Sequence, residues 1–239
     1  MSILLPDLKR RSRQPEVMDQ PGLPEPDHRR ALDALATINW LSATSRVLWP
    51  PIRELARNQK KPLRVLDIAT GGGDVPIQLW RLARKANVPL EIAGCDISRH
   101  ALVHARQRAA RAGAEINFFE LDAIHDPIPA GYDALVSSLF LHHLDESDAC
   151  SMLRRMSEAT GQILLISDLL RSRLGYALAW FVTRFLTRSW VARIDGPLSI
   201  RGAYSHSEVA VLAESAGLQG ASITRHWPER FLLHWSRPA

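Results

Sequence analysis

Cysteine is nearly absent. The 239-residue chain has two, Cys95 and Cys150, with no CxxC pair and no histidine at ligand spacing around either. That excludes a disulfide framework, a zinc ribbon and an iron–sulfur site, and it points to a reducing compartment. No metal-binding set is expected. No apolar run approaches the ~18 residues of a membrane span, the longest being Leu174 to Val182. The stretch Met1 to Pro6 is too short for a signal-peptide core, and its basic cluster follows the apolar residues instead of preceding them. The expectation is a cytoplasmic protein. What is present, 46% hydrophobic and 23% charged residues, is the balance of a globular chain. A chain of this length buries roughly 70% of its unfolded surface and needs no staple.

The net charge of +5 is unevenly spread. Residues 62–170 carry 10 Lys/Arg against 14 Asp/Glu, the first 61 residues 11 against 7, and the last 69 residues 9 against 4. An acidic middle between basic flanks argues against a phosphate-tracking groove, and no nucleic-acid partner is expected.

Residues 1–27 are rich in proline and hold the basic cluster Lys9-Arg10-Arg11-Ser12-Arg13, so they read as an extended or disordered arm. Residues 28–61 form a helical cap. Ala31, Leu32, Leu35, Ile38 and Leu41 recur at helical steps after Asp27, a candidate N-cap. A second helical stretch runs from about Thr44 until Pro50-Pro51, and a third covers Ile52 to Arg57.

From residue 62 to 239 short aliphatic runs alternate with amphipathic stretches. Strands are expected at Leu63–Ala69, Leu90–Cys95, Ile116–Leu121, Tyr132–Ser137 and Gln162–Ser167. Helices follow Asp74, Ser98, Glu146 and the capping box Ser205–Glu208. Two closing runs, Ala221–Arg225 and Arg230–Trp235, flank Pro228 as a hairpin. This is the pattern of an α/β, Rossmann-like doubly wound sheet of seven strands, mostly parallel with the last antiparallel.

The strongest chemical signal is strand, glycine turn, helix: Val65-Leu66-Asp67-Ile68-Ala69-Thr70-Gly71-Gly72-Gly73-Asp74. Glycines let the backbone approach a ligand, and the following helix offers free N–H groups. Asp96 closes the next strand, where a carboxylate accepts both hydroxyls of a ribose. A dinucleotide site wants a third glycine, but Pro76 stands there, and a Walker lysine is absent. Asp67, just before the glycines, would repel a pyrophosphate yet suits the amino group and sulfonium of S-adenosylmethionine.

On these residues the chain resembles the class I S-adenosylmethionine-dependent methyltransferases over about 62–170. The Ala-Thr before the glycines is especially similar to the ubiquinone/menaquinone-biosynthesis group. The resemblance implies that Asp67, Ala69, Thr70, Gly71 and Gly73 line the methionine part and that Asp96 holds the ribose. Ile97 would lie against the adenine, Asp122 and Ala123 would contact its amino group, and Ser138 would sit near the transferred methyl. Ala69 occupies a place where the commoner pattern has glycine.

The acceptor side centres on His142 and His143 after the fourth strand and Asp168 after the fifth. Methyl transfer is an in-line displacement, so the protein mainly positions the acceptor. A phenol or alcohol also loses a proton, which a histidine oriented by a carboxylate is suited to take. The base is His142, His143 or neither. Arg201, Tyr204 and His206 are secondary candidates for the pocket, and Asn39 and Arg46 for closure over the cofactor.

An insertion at about 169–204 places Leu174, Ala177, Leu178, Phe181 and Phe185 on one helical face. It reads as an apolar lid over a hydrophobic acceptor, as a peripheral membrane contact through 174–191, or as packing against the N-terminal helices. The leading expectation is O-methylation of a hydrophobic small molecule: phenolic, quinol or polyketide-like. C-methylation of a quinone precursor and a non-catalytic cofactor-binding module are the alternatives. Base-directed methyltransferases resemble one another in an Asn/Asp-Pro-Pro-aromatic motif, and here Ser137-Ser138-Leu139-Phe140 stands instead.

Overall fold

A computed structural model describes residues 6–20 and 22–238. In chain order it contains α1 (Glu25–Leu41), α2 (Thr44–Arg57), β1 (Leu63–Ile68), α3 (Asp74–Ala86), β2 (Leu90–Asp96), α4 (Arg99–Ala112), β3 (Ile116–Glu120) and β4 (Tyr132–Ser138). There follow α5 (Glu146–Ala159), β5 (Thr160–Leu169), α6 (Arg173–Phe185), α7 (Trp190–Gly202), α8 (His206–Ser215), β6 (Ser222–His226) and β7 (Arg230–Ser236).

The strands form one sheet in the order β3-β2-β1-β4-β5-β7-β6. β1 to β5 pair in parallel, and β7 runs antiparallel to both β5 and β6. The expected seven-stranded sheet and its closing hairpin are thus present. β1 reads as a nearly unbroken aliphatic run because it is covered on both faces: Leu66 and Ile68 pack with Met152 and Phe231, Val65 with Leu48, Ile52 and Leu79. Strand order reverses between β1 and β4, and their carboxyl ends open a crevice where α/β folds place ligands.

Two expectations about the N-terminal third are corrected. The stretches on either side of Pro50-Pro51 are one helix, α2, with both prolines inside it. Burial of Leu48, Ile52 and Ala56 along one stripe against the sheet outweighs the lost backbone bonds; each large apolar side chain so buried contributes ~1.5–3 kcal/mol. α1 begins at Glu25, so Asp27 lies in its first turn instead of capping it.

Of the arm, residues 1–5 and 21 lie outside the described residues; the rest, which contains a single 3-10 turn at Val17–Asp19 and runs into α1 at Glu25, is fastened. The Arg11 guanidinium donates to the carbonyls of Gly202 (2.6 Å) and His142 (2.9 Å) and lies over the Tyr204 ring. Arg13 donates to the His143 carbonyl, and the Val17 and Met18 N–H groups donate to the Asp195 carboxylate. These contacts to distant parts of the chain are why the arm is ordered despite its composition. Among the described residues, no helix is long and apolar enough to cross a membrane.

Candidate active site

The turn after β1 is built from left-handed residues: Ala69, Gly71 and Gly73 have φ of 55°, 53° and 71°. At Gly73 a Cβ would come within 2.9 Å of the Ala105 Cβ and 3.0 Å of the Phe118 ring, so glycine is required there for packing. The Gly71 N–H donates to Asp96 Oδ2 and the Ser98 N–H to Asp96 Oδ1, both at 2.8 Å, which fixes the carboxylate at the mouth of the crevice.

Over this turn opens a cavity of about 700 Å³. Eight of the expected cofactor residues line it: Ala69, Thr70, Gly71, Asp96, Ile97, Asp122, Ala123 and Ser138. Two do not. Gly73 faces α4, and Asp67 lies behind Thr70, whose hydroxyl donates to Asp67 Oδ2 at 2.6 Å. Asp67 Oδ1 is buried without a partner, and burial, reinforced by Asp74 and Asp96, pushes the carboxyl up to about 8. Asp74, expected only to cap α3, lines the cavity as its first residue, with Gly73 at the cap position. The Asn39 amide donates to it at 2.9 Å, and burial raises its pKa against the pull of Arg108. Asp96 is likewise raised by burial. Asp122 already accepts from the Ile124 and His125 N–H groups and meets the His125 ring at 2.8 Å; despite burial, the His125 bond leads in holding it low.

These residues suit an adenosyl sulfonium. Buried Asp67, with its orphan oxygen, and half-buried Asp74 lie near the region that a positively charged amino-acid end would occupy, and the two oxygens of Asp96 stand where a ribose diol would lie. A pyrophosphate would meet only like charge.

The histidine cluster departs from expectation. His142 Nδ1 lies 2.7 Å from Asp168 Oδ1, confirming their apposition, but its Nε2 stands 3.6 Å from Glu16 Oε1. Burial alone would lower the His142 pKa; Asp168 and Glu16 together raise it. The ring thus has a carboxylate facing each nitrogen, and it does not line the cavity. His143 does line it. Its Nδ1 is 3.0 Å from Asp19 Oδ2 and its Nε2 3.9 Å from Glu16 Oε2. Sequence reasoning missed Glu16 and Asp19, since the only local signal was an acidic residue inside a proline-rich stretch.

A second, apolar cavity of about 110 Å³ lies beside the first, and Leu35 and Leu139 belong to both walls. Leu178, Val182 and Ile200 from α6 and α7 complete it. The lid thus faces inward with Gly175, Leu178, Ala179 and Val182, while Leu174, Phe181 and Phe185, expected on the inner face, are exposed. Arg230 also lines this cavity. Its Nη1 donates to Asn39 Oδ1 and to the Thr44 hydroxyl, its Nη2 is buried without a partner, and burial lowers its pKa to about 10 against Asp168 and Asp74. Of the secondary candidates Asn39 alone lines either of these two cavities; Tyr204 donates to the Leu144 carbonyl, and His206 meets that of Ile223.

Residues 65–161 match the family described as methyltransferase domain. The chain is similar to the demethylmenaquinone methyltransferase of Thermus thermophilus, 34% identical over 110 residues, covering 45% of this chain and 48% of the relative. It is also similar to the 3-hydroxy-5-methyl-1-naphthoate 3-O-methyltransferase of Streptomyces sahachiroi, 33% identical over 111 residues, covering 45% and 31%. Each match spans less than half of the relative's length. Among solved structures, an O-methyltransferase family 2 protein from Planctomyces limnophilus in complex with apigenin superposes with a TM-score of 0.67 at 19% identity, covering 92% of this chain and 63% of that one. The magnesium protoporphyrin IX methyltransferase of Synechocystis with bound SAH (S-adenosylhomocysteine) gives 0.53 at 18%, covering 89% and 84%.

The sheet order and these superpositions give the chain the fold that the methyltransferase structures share. Residues 65–161 are similar to a methyltransferase domain, and the chain spans about half the length of the Thermus relative it matches.

Proposed function

We propose that this chain transfers the methyl group of S-adenosylmethionine to an oxygen of a hydrophobic ring compound: phenolic, quinol or polyketide-like. The observation that carries this reading is the pair of adjoining cavities, the larger one lined by the carboxylates of Asp74, Asp96 and Asp122 and the smaller one apolar, sharing the Leu35 and Leu139 walls beside His143. When bound, the cofactor supplies an electrophilic methyl on a sulfonium. The chain's own residues do the rest. Asp96 would hold the ribose, and Asp74 and Asp67 would balance the positive end. α6 and α7 would exclude water. The cluster of Glu16, His142, His143, Asp19 and Asp168 would receive and activate the acceptor hydroxyl, with His143 at the cavity wall and His142 and Asp168 positioning it. The unpartnered Nη2 of Arg230 favours an acceptor that also bears a carboxylate or carbonyl oxygen.

The test is incubation with methyl-labelled cofactor and paired acceptors, a hydroxynaphthoate and the matching naphthol, followed by mass spectrometry. A labelled product formed with one equivalent of adenosylhomocysteine supports the reading; cofactor binding with no labelled product from any phenol or quinol leaves a binding module. Similarity to the Thermus relative supports the second reading, C-methylation of a quinone precursor, which NMR of the product separates from an O-methyl ether. The exposed Leu174, Phe181, Phe185 and Trp190 near Arg184 and Arg188 support peripheral contact with an anionic membrane, tested by sedimentation with phosphatidylglycerol vesicles.

A further inference from the structure

We propose that Glu16, His142 and His143 are the ligands of a divalent metal ion, of which zinc fits best, with a remaining position open toward the acceptor. Among the described residues these three present ligand atoms that all lie within 4.8 Å of one another. The two Nε2 atoms stand 3.6 and 3.9 Å from the Glu16 oxygens. Around a four-coordinate zinc with bonds of roughly 2.0–2.1 Å, neighbouring ligand atoms sit about 3.3 Å apart. Reaching that spacing takes a few tenths of an ångström at each Glu16 contact, and the two histidine ligand atoms start within 4.8 Å of each other. Two histidines and one carboxylate with an open position is a donor set that catalytic zinc uses.

Three independent features support a metal over a simple ion-paired cluster. First, each imidazole is held by a carboxylate at Nδ1, His142 by Asp168 at 2.7 Å and His143 by Asp19 at 3.0 Å, so both rings turn Nε2 toward the same glutamate. Metal-ligating histidines are oriented by such outer carboxylates. Second, three carboxylates surround the two imidazoles, and Arg11 and Arg13 spend donors on the backbone carbonyls of His142, His143, Leu144 and Gly202. A divalent cation in place of the two ring protons would keep the charge of the cluster unchanged. Third, Glu16 is held in place: the Ser199 hydroxyl donates to its Oε1 at 2.5 Å, and the next two backbone N–H groups are fastened to Asp195.

Of the three ligands His143 lines the larger cavity, beside Asp19, Ser138 and Phe140, so a position left open on its side would adjoin that cavity. An acceptor hydroxyl bound there would release its proton to solvent. The metal-held oxygen would then form the new O–C bond with its lone pair as the S–C bond breaks and its electron pair returns to sulfur. This use of the ion rests on the proposed methyl transfer; its binding does not.

Untagged full-length protein is stripped with chelator and dialysed against Zn²⁺ or Co²⁺, and retained metal is measured by mass spectrometry and, for cobalt, by visible absorption. The expected result is about one equivalent per chain and an intense low-symmetry cobalt spectrum. Glu16→Gln and His143→Asn should each lose both signals, and His226→Asn, on the outer hairpin, should keep them. Less than a tenth of an equivalent in the wild-type chain, or full retention by both variants, overturns the inference. Adenosylhomocysteine binding is titrated on each sample. Intact binding without metal refutes the metal alone and shows the protein folded; metal retained without adenosylhomocysteine binding supports the ion and refutes the methyltransferase reading.

Discussion

Glu16 Oε1 lies 3.6 Å from His142 Nε2, so a residue of the N-terminal arm closes the edge of the ring that Asp168 leaves open. One of the two histidines that the sequence offers as a base is a buried ring held between two carboxylates. Substituting His142→Asn leaves Asp168 ionised, buried and without its ring partner. We expect a loss of about 3–5 kcal/mol in urea denaturation, the cost of orphaning one half of a buried pair. Adenosylhomocysteine affinity, read by calorimetry, should stay within about twofold, because the ring does not line the cofactor cavity. Loss of affinity with unchanged stability would show the ring in contact with the cofactor.

Acidity of the cofactor crevice sets a pH dependence. Burial pushes Asp67 to about 8 and raises Asp74 and Asp96 as well. An acid whose pKa is higher folded than unfolded holds its proton more tightly in the folded state, so its contribution to stability falls as pH rises from about 4 towards 8. A bound positive charge favours the carboxylate and reverses that penalty. Cofactor affinity should therefore be full above pH 8 and weaken as pH falls from 8 to 6, by at most about tenfold per unit for Asp67. Calorimetry in buffers of different ionisation heat should detect proton release at pH 7. A flat affinity, or one rising toward pH 6, contradicts the arrangement.

Much of this was legible in the residues, for identifiable reasons. β1, β2, β4 and β5 carry aliphatic runs buried along most of their length, and each turn or helix start beside them carries its own local signal, from Gly71 to the Ser205 capping box. Asp96 was legible because its role depends only on its place at a strand end. What local pattern did not carry was anything decided by contacts between distant segments. The arm is fastened by arginines to carbonyls far along the chain, and α2 runs through two prolines because Leu48 and Ile52 are buried beneath it. α6 has apolar residues on more than one face, so periodicity alone did not say that Leu178 and Val182, not Phe181 and Phe185, point inward.

The glycine turn offers a paired test. Ala69 has φ of 55°, a conformation costing an L side chain about 1–2 kcal/mol. Ala69→Gly should stabilise the fold by about 0.5–1 kcal/mol, after allowing for the greater freedom of glycine in the unfolded chain. Gly71→Val places a β-branched residue at φ 53° in the cavity wall. Its adenosylhomocysteine affinity should fall by about tenfold to a hundredfold, an equivalent of 1–3 kcal/mol, with the far-ultraviolet circular dichroism retained. Unchanged affinity in the valine variant would place the cofactor elsewhere.

Arg230 tests the acceptor cavity. Its Nη2 has no protein partner in an otherwise apolar wall. Arg230→Met should raise KM for a hydroxynaphthoate by about tenfold or more, the value of a charge-assisted hydrogen bond, while KM for the matching naphthol changes little. Equal effects on both substrates would assign the guanidinium to holding Asn39 and Thr44 alone.

Calorimetric titration with adenosylhomocysteine asks whether the crevice around Gly71 and Asp96 holds one adenosyl amino acid. The expected result is a single site in the wild-type chain, weakened by about tenfold or more in Asp96→Ala through loss of the ribose hydrogen bonds, with no competition from NADH. Absence of binding heat in the wild-type protein, or NADH occupying the same site, would contradict it.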